Sequence, residues 1–280
     1  MSMRKAERRD DWLTYLALAL IALFFGGPLL WILSLSLRSQ AEILVTSINP
    51  IPKSPSLDNY GEVLRSAQFP RFLGNSLLLA VLGSVGAMAV AGPAAFAFSR
   101  IDFRGRRGLL IGVLALQMIS PLIIAFPLYR YFASLGVLDS RFSVAVVYIA
   151  ILMPLATWML KGFFDGIPRD LDDAALLDGA TRWGAFTKVI LPISKSGIAA
   201  VFVLIALLAW AEFVIPYILL TSPSKLPISV GILNFQGTYA ANNTGILAAG
   251  GILAILPVIA VFVALQRFIV GAFVAGALKG

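Results

Sequence analysis

Long apolar segments alternate with short polar connections along most of the chain. Six of these segments are long enough to cross a bilayer, because a helical span needs about 20 apolar residues. Glu212, in the fifth segment, is the one charged residue within them. The pattern predicts an all-α membrane protein with a single transmembrane domain, residues 1–280. Its six transmembrane helices are predicted at about residues 13–37, 72–99, 108–129, 142–160, 196–220 and 245–265.

Composition supports this interpretation and excludes several kinds of chemistry. Of the 280 residues, 59% are hydrophobic and 13% are charged, whereas soluble domains have about 25% charged residues. The chain contains no cysteine and no histidine. We therefore expect no disulfide, no thiolate or imidazole metal site, and no cysteine or histidine catalysis. The first segment is longer than the apolar region of a signal peptide, so we expect a retained helix.

The basic residues predict the orientation in the membrane. Six helices place both termini on one side of the bilayer. Fifteen of the 22 Lys and Arg residues lie on that side, and seven lie on the other. The positive-inside rule then places both termini in the cytoplasm. The net charge of +8 is thus mostly a topology signal, and it gives no support to nucleic-acid binding.

Small residues recur at four-residue steps in the second predicted helix, at Gly83, Ala87, Ala91 and Ala95. Such a row lets another helix pack closely against it. The high alanine content of the segment explains the row equally well.

The longest predicted cytoplasmic connection, residues 161–195, has the pattern of two short amphipathic helices. Pro168 suits the start of the first helix. Three aspartates follow in its first turn, where acids favour the positive end of the helix dipole. Gly179 ends or bends this helix, and Thr181 can cap the second one. Both helices carry apolar residues at helical spacing, so the pair needs a surface to pack on.

Three surfaces fit this helix pair: the membrane, a cytoplasmic protein, and the transmembrane helices of the chain itself. The acidic first turn disfavours the inner leaflet, which is anionic. It favours a basic groove on a protein, so we interpret the first helix as a docking element. Packing on the chain's own transmembrane helices remains the alternative.

The same connection resembles the EAA motif of permease subunits of ABC importers. The match extends from Ile167 to Pro192 and keeps the family's spacing over more than twenty positions. The sequence Leu177-Asp178-Gly179-Ala180 is typical of the sugar-importer branch, and the end of the chain is similar to MalG-type maltose-importer permeases. Other segments that resemble the family are Asn75-Ser76, FAFSRIDFRGRRGL, FPLYRYFASLGVLDS, ALLAWAEFVIPYILLT and QRFIVGAFVAGALKG.

Three positions depart from the family pattern. Asp173 replaces the leading glutamate of the triplet, which keeps the charge on a shorter side chain. Ser196 stands where a proline is frequent beyond the Leu-Pro pair. Ala211 stands where an asparagine often follows the tryptophan of the fifth helix, so sugar selectivity can differ.

The resemblance implies the transmembrane fold of a type I ABC importer with a cytoplasmic coupling helix, in a bacterial or archaeal cytoplasmic (inner) membrane. It also implies three partners: a second permease subunit, a dimer of ABC ATPases, and an extracytoplasmic sugar-binding protein. The coupling helix would sit in a cleft of the ATPase, with Asp173 facing a basic residue. The residues implied to couple to the ATPase are Asp170, Asp173, Ala174, Ala175, Asp178, Gly179, Ala180, Phe186 and Pro192.

Two further contacts rest on the resemblance alone, and an ordinary loop and a fraying terminus are their alternatives. The tail would reach between the ATPase subunits, with Gln266, Lys279 and Gly280 as candidates. The connection before the last helix would contact the binding protein through Asn234, Gln236, Tyr239, Asn242 and Asn243.

The chain contains no G-x-x-x-x-G-K-S/T sequence for cradling phosphates. We therefore expect a transport subunit rather than an enzyme, without a cofactor of its own. ATP and magnesium would bind to the partner ATPase.

Four polar or aromatic residues are candidates for lining a sugar path. An acid at membrane depth is costly and usually functional. Three roles stay open for Glu212: a hydrogen bond to a neighbouring helix, an acceptor for sugar hydroxyls, and ion coupling. Gln117 suits hydroxyls, and Trp158 and Trp210 suit sugar rings, although tryptophans also form interfacial belts.

The competing function is a stand-alone secondary transporter coupled to protons or sodium through Glu212. Such folds usually contain inverted repeats, and we find no internal repeat in this sequence.

Overall fold

The computed structural model describes residues 3–44, 49–234 and 244–277. Every regular element in this part is helical. These elements include 3-10 turns at Leu116–Met118 and Pro223–Lys225 and a π-helical turn at Phe186–Ile190. The α-helices are α1 (Met3–Ser36), α2 (Gln40–Leu44), α3 (Asp58–Arg65), α4 (Phe69–Arg100), α5 (Arg106–Ala115), α6 (Pro121–Ser134), α7 (Arg141–Asp165), α8 (Asp170–Leu177), α9 (Arg182–Ala185), α10 (Leu191–Ile193), α11 (Lys195–Ala211), α12 (Val214–Leu219), α13 (Ile228–Gly231) and α14 (Thr244–Ala277).

The described residues contain four helices that are long and apolar enough to cross a membrane, or six if each of two bent pairs is one span. The four are the apolar part of α1, α4, α7 and the first part of α14. One bent pair joins α5 to α6 at 89°, and the other joins α9–α10 to α11 at 80°. The prediction of an all-helical membrane protein is confirmed, and the count of six stays a prediction.

The third predicted span, residues 108–129, consists of two helices rather than one. Ile119 and Ser120 have extended backbone conformations between them. A proline disfavours the helical conformation in the residue before it, and Pro121 then suits the first turn of α6. The proline therefore divides the apolar segment that the hydrophobic pattern joined.

The predicted cytoplasmic connection, residues 161–195, is shorter in the structure because α7 continues to Asp165. Pro192 lies within α10 instead of ending the second loop helix. The turn before it is a π-helix, Phe186–Ile190. A proline cannot donate to the carbonyl four residues earlier, and the wider turn accommodates that missing bond. The fifth predicted span, residues 196–220, is also interrupted, as described below.

The described chain divides into two compact units. The first comprises residues 1–67 and 232–255. Its polar contacts join the end of α1 to α3: Asn59 Nδ2 donates to the carbonyls of Ser36 and Arg38 at 2.9 and 2.8 Å. The most apolar 18-residue window of α1 has no buried residue. The single-domain prediction is not tested by this division.

The second unit comprises residues 68–231 and 256–280, and α4 packed on α7 forms its centre. Gly83 faces Tyr148 so closely that a Cβ atom there would lie 2.8 Å from the Cβ of Tyr148. Ala87, Ala91 and Ala95 continue this row, and all three are fully buried. The row of small residues is therefore a helix-packing surface, as one of the two interpretations predicted.

Candidate functional site

The loop between α7 and α11 contains the two predicted short helices, α8 and α9. Gly179 ends α8 in the left-handed conformation, with φ +84°, which favours glycine. The Ala180 N–H donates to the Ala175 carbonyl at 3.0 Å, an arrangement typical of helix ends closed by glycine. Thr181 Oγ1 accepts from the Gly184 N–H at 3.1 Å and caps α9. The predicted stop at Gly179 and the predicted cap at Thr181 are confirmed.

The burial pattern of α8 is the reverse of that of an ordinary surface helix. Its acid Asp172 is 8% exposed, whereas Leu177 is 89% exposed. Leu171 and Leu176 are exposed as well, and so is Trp183 on α9. Leu176 lines a cavity together with Phe96 and Arg100 of α4, whereas Leu177 is almost fully exposed. The exposed apolar side chains of α8 and α9 are candidates for an interaction surface.

The buried acid attaches α8 to the end of α4. Asp172 Oδ2 lies 2.6 Å from Arg100 Nε, and both side chains are buried. Arg100 Nη2 also donates to the Ile167 carbonyl at 2.9 Å. Burial raises the pKa of Asp172, and the charge of Arg100 opposes that rise. Loss of either partner would leave an unpaired buried charge, so the contact holds α8 firmly.

A second set of contacts joins the end of α4 to the end of α7 and to Arg169, the residue before α8. Ser99 Oγ donates to Asp165 Oδ1 at 2.7 Å, and Arg169 Nη2 donates to the Ser99 carbonyl at 3.4 Å. These roles of Arg100 and Arg169 were not predicted from the sequence, where both residues counted as topology signals and Arg100 also lay in a segment that resembles the family. The sequence signal for these contacts was the Ser99-Arg100 pair at the end of an apolar segment. That signal does not indicate which acid the pair contacts.

Most predicted coupling residues lie on the surface of this loop. Phe186 differs, because it is 3% exposed. Its ring centroid lies 5.0 Å from that of Phe96 and 5.1 Å from that of Trp183, so it packs the loop against α4. Ala175 and Ala180 are half-buried. The exposed ones are Asp170, Asp173, Ala174, Asp178, Gly179 and Pro192.

A cavity of about 360 Å³ lies beside the interrupted helices of the second unit. Residues from the α5–α6 break, from the middle of α7 and from the end of α11 line it. Gln117 and Glu212 both contribute to the lining, as two of the four predicted path residues. Trp158 and Trp210 do not line it, and Trp158 is 51% exposed. The cavity thus brings together the two polar candidates without the two tryptophans.

Glu212 stabilises a break in the fifth predicted span. Pro216 cannot continue the helix, because its ring excludes the helical position of the carbonyl four residues earlier, which is that of Glu212. Glu212 Oε1 accepts from the N–H groups of Val214 and Ile215 at 2.9 and 3.2 Å. Ser229 Oγ donates to the freed Glu212 carbonyl at 2.8 Å. The structure thus gives the carboxylate a structural role, the N-terminal cap of α12.

Gln117 lies at the other side of the same cavity. Its Nε2 donates to the Ile151 carbonyl at 2.6 Å, which fixes the amide on α7. One Nε2–H is engaged in this way, so Gln117 can offer its amide oxygen and its second N–H to a ligand.

The remaining predicted residues fall at or beyond the limits of the described chain. Asn234 is described and half-buried. Gln266 lies in α14, and its side chain is outside the described part. The residues outside the described ranges are Gln236, Tyr239, Asn242, Asn243, Lys279 and Gly280.

Comparison with known proteins supports the resemblance found in the loop. The profile of the family described as "binding-protein-dependent transport system inner membrane component" matches residues 83–273. The trehalose/maltose transport system permease protein MalG of Thermococcus litoralis is 31% identical over 94% of each chain. The galactooligosaccharides transport system permease protein GanQ of Bacillus subtilis is 33% identical over 95% of each chain.

A solved structure shares the fold. A chain of a bacterial ABC transporter involved in the import of the acidic polysaccharide alginate superposes with a TM-score of 0.77. The sequence identity is 23%, and the match covers 94% of this chain and 97% of that one. The all-helical transmembrane fold of an ABC importer is therefore confirmed.

Proposed function

Because the chain belongs to the family of binding-protein-dependent transport system inner membrane components, we propose that it is a permease subunit of an ATP-driven sugar importer. The α8–α9 loop carries the proposal. Its buried Asp172 anchors it to α4, while Leu177 and neighbouring apolar residues face outward. If ATP drives transport, a chain without its own nucleotide motif needs a surface on which an ATPase can dock.

We infer six spans, with both termini in the cytoplasm. In this arrangement α5 and α6 form the third span and α11 continues into α12 as the fifth. The helices α9 and α10 turn away from α11 by 80°, which suits a position at the cytoplasmic surface. The excess of basic residues on that side supports the orientation.

The coupling mechanism follows from the contacts of α8. An ATPase subunit would bind ATP and magnesium and hold α8 in a cleft, with the exposed Asp173 facing a basic residue. Movement of α8 would reach α4 and α7 through the contacts of Arg100 and Ser99. ATP binding shifts a conformational equilibrium only through contacts that differ between the two states. This loop offers a place for such contacts.

We propose a di- or oligosaccharide, or a related glycoside, as the substrate. The relatives named above are permeases of transport systems for trehalose and maltose and for galactooligosaccharides. Gln117 and Glu212 bring oxygen acceptors for sugar hydroxyls to an otherwise largely apolar cavity. A second permease subunit would complete the pathway, and an extracytoplasmic binding protein would deliver the sugar.

Whole-cell uptake tests this proposal. A strain lacking the gene is complemented with the wild-type chain or a variant, and uptake of radiolabelled maltose, trehalose and galactotriose is measured. We expect Asp173→Lys and Gly179→Pro to abolish uptake at unchanged membrane levels. Glu62→Lys, which reverses an exposed acid on α3, serves as the control and should transport normally. Normal uptake by both loop variants would contradict the proposal.

Ion-coupled secondary transport through Glu212 is not favoured. The named relatives are permeases of multicomponent transport systems, and Glu212 Oε1 is engaged in capping α12. We expect the purified chain alone in liposomes to take up none of these sugars under a proton or sodium gradient. Gradient-driven uptake that Glu212→Gln alters would reinstate the competing function.

A further inference from the structure

We call residues 212–229 the return segment. It begins directly after α11, at Glu212, and its other end lies beside Glu212 again. The segment contains α12, a 3-10 turn and the start of α13. Its two ends meet where Ser229 Oγ donates to the Glu212 carbonyl at 2.8 Å. Because the segment is not one continuous helix, many of its backbone groups lack intrahelical partners.

Side chains of α4 satisfy part of these backbone groups. Asn75 Nδ2 donates to the carbonyls of Ser224 and Leu226 at 2.9 and 3.0 Å. Ser76 Oγ accepts from the first N–H of α13 at 2.7 Å. Both side chains are buried. Arg141 Nη1 donates to Asn75 Oδ1 at 2.7 Å and so fixes the orientation of the amide.

Asp139, in the connection between α6 and α7, forms hydrogen bonds with other backbone groups of the return segment. Its Oδ1 accepts from the N–H groups of Thr221 and Ser222 at 3.0 and 2.9 Å. Its Oδ2 accepts from Ser222 Oγ at 2.6 Å and from Lys225 Nζ at 2.7 Å. Its own N–H donates to the Leu219 carbonyl at 2.8 Å. Burial raises the pKa of Asp139, but these donors together lower it well below its usual range.

We propose that Asn75, Ser76 and Asp139 are positioning residues that keep the return segment attached to α4 and α7 throughout the transport cycle. Releasing the segment would remove the partners of six backbone groups. Such groups are costly to leave unsatisfied next to a membrane. The return segment, α4 and α7 then move as one body, and access to the Glu212 cavity opens elsewhere.

This inference rests on the proposed transport function. It adds that the contact of the return segment with α4 and α7 does not open during transport. It also gives a role to two sequence segments that had none. These are Asn75-Ser76 at the start of the second span and the Leu138-Asp139-Ser140 end of the segment that follows the third.

Crosslinking across the contact tests the proposal, because the chain has no native cysteine. Asp139→Cys and Ser222→Cys together remove the carboxylate contacts and place two thiols there. A short bifunctional thiosulfonate then joins them in membranes that contain the whole transporter. Uptake of radiolabelled maltose, or of the panel sugar that the wild type transports, is measured before crosslinking, after crosslinking and after reduction. The wild type and both single-cysteine variants are treated in parallel.

We expect the double variant to take up several-fold less sugar than the wild type, crosslinking to restore uptake, and reduction to reverse that gain. A carboxylate needed only for folding or membrane insertion would not give this reversible rescue, because crosslinking acts on the chain already assembled in the membrane. Crosslinking that abolishes the residual uptake would show that the segment must open, and it would overturn the proposal. Uptake at wild-type level with and without the crosslinker would overturn it too, since the contacts would then position nothing.

The crosslinking yield gives a second readout that needs no sugar. We expect equal yields in membranes with and without ATP, and a yield that falls when ATP is present would overturn the proposal. A wild-type chain that transports none of the sugars would count against the proposed function instead, and the yields would still decide whether the segment stays attached.

Discussion

The two ends of α4 hold irregular segments in opposite ways. At the Arg100 end, α8 is attached through a buried ion pair, and its leucines face outward. At the Asn75 end, side chains satisfy the backbone of the return segment, and its apolar residues Leu219, Leu226 and Ile228 are buried. A segment that buries charge and exposes leucine is suited to a partner. A segment that buries most of its apolar residues, although Phe213 and Tyr217 are exposed, and that has partners for its backbone polar groups is suited to remain in place.

The two ends are also far apart. Asn75 and Arg100 are separated by about 38 Å along the helix at 1.5 Å per residue, more than the roughly 30 Å of a hydrocarbon core. In the proposed topology they lie at opposite membrane surfaces. In this topology α4 would therefore connect the surface where the ATPase docks to the surface where the return segment stays attached.

Removal of one partner of the buried ion pair should have the largest effect on stability. Arg100→Met or Asp172→Leu leaves an uncompensated buried charge, which costs about 3–5 kcal/mol. The double variant, with apolar residues of similar volume, should recover most of that loss. The midpoint of thermal unfolding in detergent measures both. A double variant as unstable as the single ones would contradict the assigned role of the pair.

Substitution of Gly179 should have the next largest effect. Gly179→Ala forces a side chain into the left-handed conformation at a cost of about 1–2 kcal/mol, and it loosens the turn between α8 and α9. Gly162→Ala is the matched control, because a Cβ at Gly162 meets no atom within 4 Å. The midpoint of thermal unfolding and sugar uptake should both fall for Gly179→Ala. Gly162→Ala should keep normal uptake and should not lower the midpoint, because alanine is favoured over glycine within a helix. Equal behaviour of the two variants would count against the role of the turn.

Asp139→Asn should cost about 1 kcal/mol or less, because Lys225 is 37% exposed and water screens the pair. The pKa of Asp139 is lowered in the fold. Its carboxylate therefore contributes fully above the unfolded pKa of about 3.9, and this contribution is lost only as the pH falls through the folded value. The stability difference from the wild type should be constant between about pH 5 and 8. It should shrink at lower pH, and a difference that already changes near neutral pH would contradict this assignment.

Leu177→Ser should have the smallest effect on the chain's own stability, within about 0.5 kcal/mol, because the side chain is on the surface. Sugar uptake should nevertheless fall strongly if Leu177 contacts a partner. Leu64→Ser, at an exposed leucine of α3, should leave both quantities unchanged. Wild-type uptake by Leu177→Ser would remove this residue from the docking surface.

Local signals in the sequence predicted much of the loop but not its attachment. Gly179 and Thr181 determine a helix end and a helix start through their own backbone and side-chain chemistry, so their roles were visible. The pairing of Arg100 with Asp172 was not visible, because three aspartates share one turn and only the packed helices select one of them.

Prolines show the same limit within the spans. Pro121 and Pro216 both stand in segments whose hydrophobic pattern suggests a continuous helix. The pattern reports the length of apolar chain, whereas the break depends on whether other groups satisfy the freed backbone. Ser229 and the carboxylate of Glu212 do so in the fifth segment, and Ser229 was not among the predicted site residues.

Purification of the tagged chain from its native membrane in a mild detergent, with identification of every copurifying protein, tests the central claim most directly. We predict an ATPase and a second permease with the wild-type chain. With Leu177→Ser we predict a smaller amount of ATPase and an unchanged amount of the second permease. A chain recovered alone or only with copies of itself, or an amount of ATPase that Leu177→Ser leaves unchanged, would contradict a docking role for the exposed residues of α8.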